Sequence, residues 1–340
     1  MPSSEPESPP VRLTRGWWIG LSAGLILMTG WCLLNVAVDP TGEFGQSGRY
    51  AFNRFPPPAV IAAGEAGNNP AFFTRAIREH RGDTFLIGAS RTWRGFDTCA
   101  RQDILRVAGS AWGVREMAQV EQTILTTRRA PATLLIEVGV PTTERPAITD
   151  PVQAALSTAL SPRTTLFSLQ TVAHSLGGPA DTPADYPPCE PRASGPADWT
   201  QAERSMRYSM GLFDTSAAAL DQGQRNLRTM AEQADELCRR TGVRHRLVFF
   251  SLPAMPVGAP ASDAAMRANT VRIGQQFAHR PSVSGGCDIR HVDLSRTPPG
   301  GAALWRNRDH WSDYTHFRPH LGALALDALS REMDGDRPPA

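Results

Sequence analysis

Lysine is missing from this chain: all 35 residues counted as Lys or Arg are arginine. That absence excludes a Walker-type phosphate lysine, a Schiff-base lysine and a Ser-Lys dyad, because each of them needs an amine. Net charge is small, +2 over 340 residues, so there is no basic field for nucleic acid and no nucleic-acid partner is expected. No G-x-G-x-x-G follows the first strand-like run, which argues against dinucleotide binding. The cysteines are too widely spaced for a C-x-x-C zinc or redox pair, no internal repeat is visible, and no cofactor or metal is expected. Any activated serine must therefore rely on histidine or a carboxylate.

What is present begins with a membrane signal. Residues 1–16 open with the proline-rich "PSSEPESPP", which cannot form a core and reads as a disordered cytoplasmic tail. From Trp17 to Val38 there is no charged residue, a stretch long enough to cross a hydrocarbon layer of ~30 Å as a helix. Arg12 and Arg15 precede it, so the positive-inside rule keeps the tail in the cytoplasm and sends the rest across the inner membrane, into the periplasm or its equivalent. A cleaved signal peptide has a shorter apolar region and an A-x-A-like site, and neither is found. Trp31 before Cys32 is a poor setting for a lipoprotein cysteine. The reading is an uncleaved single-pass anchor with an extracytoplasmic domain.

Cys99, Cys189, Cys238 and Cys287 remain outside the span, an even number in an oxidising compartment. Four cysteines allow three pairings, and buried free thiols are the other reading. Cys238 ends a helical pattern leading into the fourth strand-like run and Cys287 precedes the fifth, which favours Cys238 with Cys287 and Cys99 with Cys189.

Residues 39–80 read as a Pro/Gly-interrupted stalk, 81–333 as one domain, and 334–340 as a tail. A 41% hydrophobic content suffices for one sizeable core. Within the domain, short apolar runs (Thr84 to Ile87, Ile104 to Val107, Thr133 to Val138, Arg246 to Ser251, Ile289 to Leu294) alternate with amphipathic segments (Val114 to Thr127, Asp221 to Arg240, Ala264 to Ala278). That pattern predicts parallel βαβ units in an α/β fold, with ligands outside the carboxyl ends of the strands. Residues 141–215 break the alternation and read as an insertion over that edge.

Two stretches carry candidate chemistry. "FLIGASRTWRGFD" ends a strand on glycine and then presents Ser90, either a helix cap or a nucleophile. "DHWSDYTHFRPHLGALALDAL" places Asp313 and His316 three apart, either a surface histidine near a helix start or a carboxylate that orients an imidazole base. Arg91 follows Ser90 and could grip a substrate carboxylate or phosphate, or pair with Asp97 or a backbone carbonyl. Trp93, Trp112 and Trp311 are either sugar-stacking walls or core packing.

Taken together, "VAVDPTGEF" after the span, "IGASR", "VAGSAWG" and "WSDYTHFRPHLGALAL" resemble the SGNH (GDSL-like) hydrolase superfamily. The likeness is to its membrane-anchored bacterial branch, which includes the D-alanine-transfer protein of lipoteichoic acid synthesis and the periplasmic alginate O-acetylation proteins. The resemblance implies a flavodoxin-like three-layer α/β/α sandwich around about five parallel strands. It also implies Ser90 as nucleophile, His316 as base, Asp313 as orienter, and the N–H groups of Ser90 and Gly109 as oxyanion donors. The superfamily's third-block asparagine is missing from "IEVGVPTTE", where Thr142 or Thr143 are the candidate replacements. The function implied is a serine acyltransferase or esterase that O-acetylates a cell-surface or exported polysaccharide, beside a membrane-bound acyltransferase. The alternative is a catalytically silent scaffold or glycan-binding partner of such an acyltransferase.

Overall fold

The computed structural model describes residues 15–40, 44, 50–53, 73–99, 101–109, 112–138, 156, 158–177, 199–200, 216–253, 268, 271–272, 275, 286–314 and 316–334. Five parallel strands form one sheet: β1 (Thr84–Gly88), β2 (Ile104–Ala108), β3 (Thr133–Glu137), β4 (Arg246–Ser251) and β5 (Asp288–Asp293). Their spatial order is β2-β1-β3-β4-β5, the flavodoxin-like order, and it reverses direction between β1 and β3. Each observed strand lies within one residue of its sequence expectation, because β1 and β2 are buried at every position and β3 and β4 at all but their first. Such strands leave an uninterrupted apolar run in the sequence.

Alternate side chains feed two cores. Phe85, Ile87, Leu105, Val107, Leu134, Ile136, Leu247 and Phe249 face one layer. That layer is built by α2 (Thr74–Glu79), α4 (Val114–Thr127) and α6 (Ala217–Thr241). Leu86, Leu135, Val248 and Phe250 face the other, filled by Trp305, Trp311, Phe317 and Leu321. The second layer holds α3 (Ser90–Gly95), α7 (Ala302–Arg306) and α8 (Pro319–Asp334). The product is a three-layer α/β/α domain. Helix α4 coincides with its expectation, α6 begins four residues earlier, and most of the helix expected over 264–278 lies outside the described residues.

Outside the sandwich, α1 (Arg15–Val38) is long and apolar enough to cross a membrane, and α5 (Pro162–Gly177) packs on its last turns. Asp39 ends α1 with a left-handed backbone, φ 48°, and its carboxylate accepts from the N–H of Phe44 at 3.1 Å. Asn53 donates to the carbonyls of Ala37 and Val38, each at 3.1 Å. The last carbonyls of a helix have no internal partner, so these contacts close its end. Cys238 and Cys287 are joined in a disulfide. Cys99 is also disulfide-bonded, while Cys189 lies outside the described residues.

Candidate active site

The carboxyl ends of the strands carry the candidate chemistry. Ser90 is the first residue of α3, directly beyond β1, where a helix leaves the first N–H groups without an internal acceptor. Asp313 and His316 lie on a loop after the last strand, and that loop is tightly built. Trp311 and Phe317 form an antiparallel bridge. The Ser312 N–H donates to the His316 carbonyl at 2.9 Å, as does the Ser312 hydroxyl. Trp311 donates its indole N–H to the Trp305 carbonyl, and Trp305 donates to that of Pro299. These buried aromatics fix the loop from below.

On that frame Asp313 accepts twice from His316. The backbone N–H reaches Oδ1 at 2.8 Å, and ring Nδ1 lies 2.9 Å from Oδ1 and 2.7 Å from Oδ2. A carboxylate only accepts, so Nδ1 carries a proton, and in the neutral ring Nε2 is the nitrogen with the lone pair. Nε2 is buried and, among the described residues, makes no hydrogen bond. A neutral imidazole held in this tautomer can take a proton from a hydroxyl.

The Ser90 and His316 segments are pressed together. A Cβ on Gly95, at the end of α3, would collide with the Phe317 ring, and one on Gly322 would collide with the Gly95 carbonyl. Two glycines thus let α3 and α8 meet backbone to backbone, next to His316. Arg94, four residues after Ser90, reaches Asp313 at 3.8 Å. No hydrogen bond joins His316 Nε2 to Ser90.

Several expected residues sit elsewhere. Arg91 does not face a substrate: it is 4% exposed, its Nε lies 3.3 Å from Glu137 Oε1, and it donates to the Pro253 carbonyl at 2.8 Å. Burial lowers its pKa from the ordinary value, and the Glu137 charge opposes that shift. The Gly109 N–H is not open to an oxyanion, because it donates to the Gly88 carbonyl at 3.3 Å, extending the parallel ladder. Thr142 and Thr143 lie outside the described residues. Trp93, Trp112 and Trp311 are all core.

Glu137 is the site residue that sequence reasoning missed. It ends β3, is buried, and accepts from the Thr92 hydroxyl as well as facing Arg91. The group ties the ends of β1, β3 and β4 together at the point where strand order reverses. Its signal was available: a carboxylate closing the apolar run "TLLIE" must be paired when buried. A Ser-His hydrogen bond, Ser251 to His291 Nε2 at 2.9 Å, lies near this edge. Ser251 is fully buried, so this pair braces β4 against β5. Burial lowers the His291 pKa, against a smaller opposing effect of Asp293.

No family model matches the chain, and no curated protein does. Among solved structures, it is similar to a "putative acylhydrolase" from Bacteroides fragilis, with 11% identity and a TM-score of 0.40, over 77% of this chain and 94% of that one.

Proposed function

We propose that the chain is an extracytoplasmic serine acyltransferase or esterase, anchored to the membrane by α1, whose acceptor is a cell-surface or exported polysaccharide. The observation that carries this reading is the Asp313–His316 pair, with its proton held at Nδ1 and its free Nε2, packed against the helix that begins at Ser90. In the proposed reaction the Ser90 oxygen attacks the acyl carbonyl as His316 takes the hydroxyl proton. Collapse of the tetrahedral intermediate expels the donor's leaving group, which receives that proton. An acyl ester on Ser90 remains. His316 then removes a proton from an acceptor hydroxyl, which attacks the ester and frees Ser90.

Transfer is favoured over hydrolysis by location. A membrane anchor keeps the domain beside a membrane-bound acyltransferase able to supply acyl groups, at a high effective concentration. Trp199, from the inserted segment, packs edge-on against Tyr314 at 5.3 Å, so the insertion reaches the loop of the base and can limit water there.

One structural observation favours a second reading, a silent scaffold for that acyltransferase: the Gly109 N–H is committed to Gly88, and losing one oxyanion donor typically costs ~10²–10³ in rate. The test uses full-length protein in detergent or vesicles, with an activated acetyl ester and oligosaccharide acceptors. Acetylated sugar that disappears in Ser90→Ala supports the enzyme. Unchanged polymer acetylation in cells carrying Ser90→Ala favours the scaffold.

A further inference from the structure

Helix α5 is inside out. Its inward face is largely polar, with Thr164, Ser168 and Thr171 buried there beside Phe167. Its outward face is apolar: Leu166 is 53% exposed, Leu169 54% and Leu176 77%, with Ala173 exposed between them. A helix on a soluble domain shows the opposite arrangement. In hydrocarbon this one is normal, since leucine gains nothing by leaving lipid while small hydroxyl residues pack and hydrogen-bond between helices.

The partner of the polar face is the candidate membrane helix itself. Asn35, three residues before the end of α1, is fully buried. It donates to the Ala159 carbonyl at 2.8 Å and to Thr165 Oγ1 at 2.9 Å, and accepts from the Ser168 hydroxyl at 2.9 Å. A side-chain amide at that depth is costly unless paired, and α5 together with Ala159, three residues before it, supplies all three partners. Arg163 and His174, both exposed, are also on α5, where polar tips can reach headgroups. With 16 residues and a rise of ~1.5 Å each, α5 is too short to cross a ~30 Å core.

We infer that α5 is a second membrane element. It lies in the leaflet where α1 emerges, its Leu166, Leu169, Ala173 and Leu176 face set among the acyl chains and its Thr/Ser face clamped on Asn35. The occupant of the leucine face is lipid, and the inference holds whichever chemistry the domain performs.

The experiment uses the full chain carrying Cys32→Ser, reconstituted in phosphatidylcholine/phosphatidylglycerol vesicles. Single cysteines are placed at Leu169, at Ala173 as a milder change on the same face, and at exposed Arg228 on α6 as an aqueous control. Each is labelled with bimane and challenged with nitroxide-bearing lipid or aqueous iodide. The expected result is loss of iodide quenching and gain of lipid quenching at Leu169→Cys and Ala173→Cys, with the reverse at Arg228→Cys. Iodide quenching equal to that at Arg228→Cys overturns the inference in favour of a water-facing helix. Protection from both quenchers overturns it in favour of a protein cover, such as a second copy or a membrane partner.

Discussion

At the amino end of the sheet, Cys238 is joined to Cys287, Asp288 accepts from Arg246 at 3.1 Å and from Arg290 at 2.8 Å, and His245 Nδ1 accepts from the Ala132 N–H at 3.1 Å. At the carboxyl end, His316 Nε2 is buried without a partner among the described residues, and two helices meet through bare glycine backbone. One end is fastened by a covalent tie from α6 to the start of β5 and an ionic one between β4 and β5. The other has strong supports, Glu137 with Arg91 and the aromatic bed under the 311–317 loop, but leaves one imidazole nitrogen uncommitted among the described residues. The contrast teaches where to expect stability and where to expect chemistry. Changes at the amino end should lower stability and spare turnover, and changes at the carboxyl end should do the reverse unless they touch its supports.

The largest effect is expected from Asp313→Asn. An amide can offer its N–H to the ring and reverse the tautomer, so acyl turnover should fall ~10⁴-fold with the melting curve little changed; a loss below tenfold would remove Asp313 from the reaction. Next comes Glu137→Ala, which strands the buried Arg91 guanidinium. Urea denaturation should show a loss of ~3–5 kcal/mol, and Glu137→Ala/Arg91→Met should recover much of it. If the double variant is no better, the pairing is not what holds that end.

Third, Cys238→Ser/Cys287→Ser opens a closure over 49 residues and should cost ~2–4 kcal/mol, with turnover per folded molecule unchanged. Lost turnover in the folded variant would erase the contrast between the two ends. A smaller effect concerns Glu121, fully buried on α4 with both oxygens unpartnered among the described residues, where burial raises its pKa well above the ordinary value. A raised folded pKa gives stability that is fully present below the unfolded value of ~4.3 and is lost as pH rises towards the folded one. Glu121→Leu should therefore raise stability at pH 8 by ~1–2 kcal/mol and do little at pH 4. Smallest is Arg94→Ala. Its 3.8 Å contact to Asp313 is half-exposed, so it should change stability by less than ~1 kcal/mol.

Much of the domain was legible because its signal is local. Fully buried strands write continuous apolar runs, and an i, i+3 carboxylate and histidine can be recognised from a single turn. What was not legible depends on partners distant in sequence. Arg91 turns inward because of Glu137, 46 residues later by their numbers and adjacent only once β1 and β3 pair. The Gly109 N–H is taken by Gly88 through the β1–β2 register. Helix α5 has the spacing of any amphipathic helix, and only its place beside Asn35 shows which face is turned outward.

The contact between Gly95, Phe317 and Gly322 leaves no clearance between α3 and α8. The proposed nucleophile and base would therefore ride on one bearing surface, and their alignment would be only as good as its seating. Warming or a remote substitution that unseats α8 by a fraction of an ångström would stall the site while the sheet and most helices stay folded. Inactivation would then run ahead of unfolding, and the working temperature of the protein would be set by the fit of two glycines rather than by its melting point.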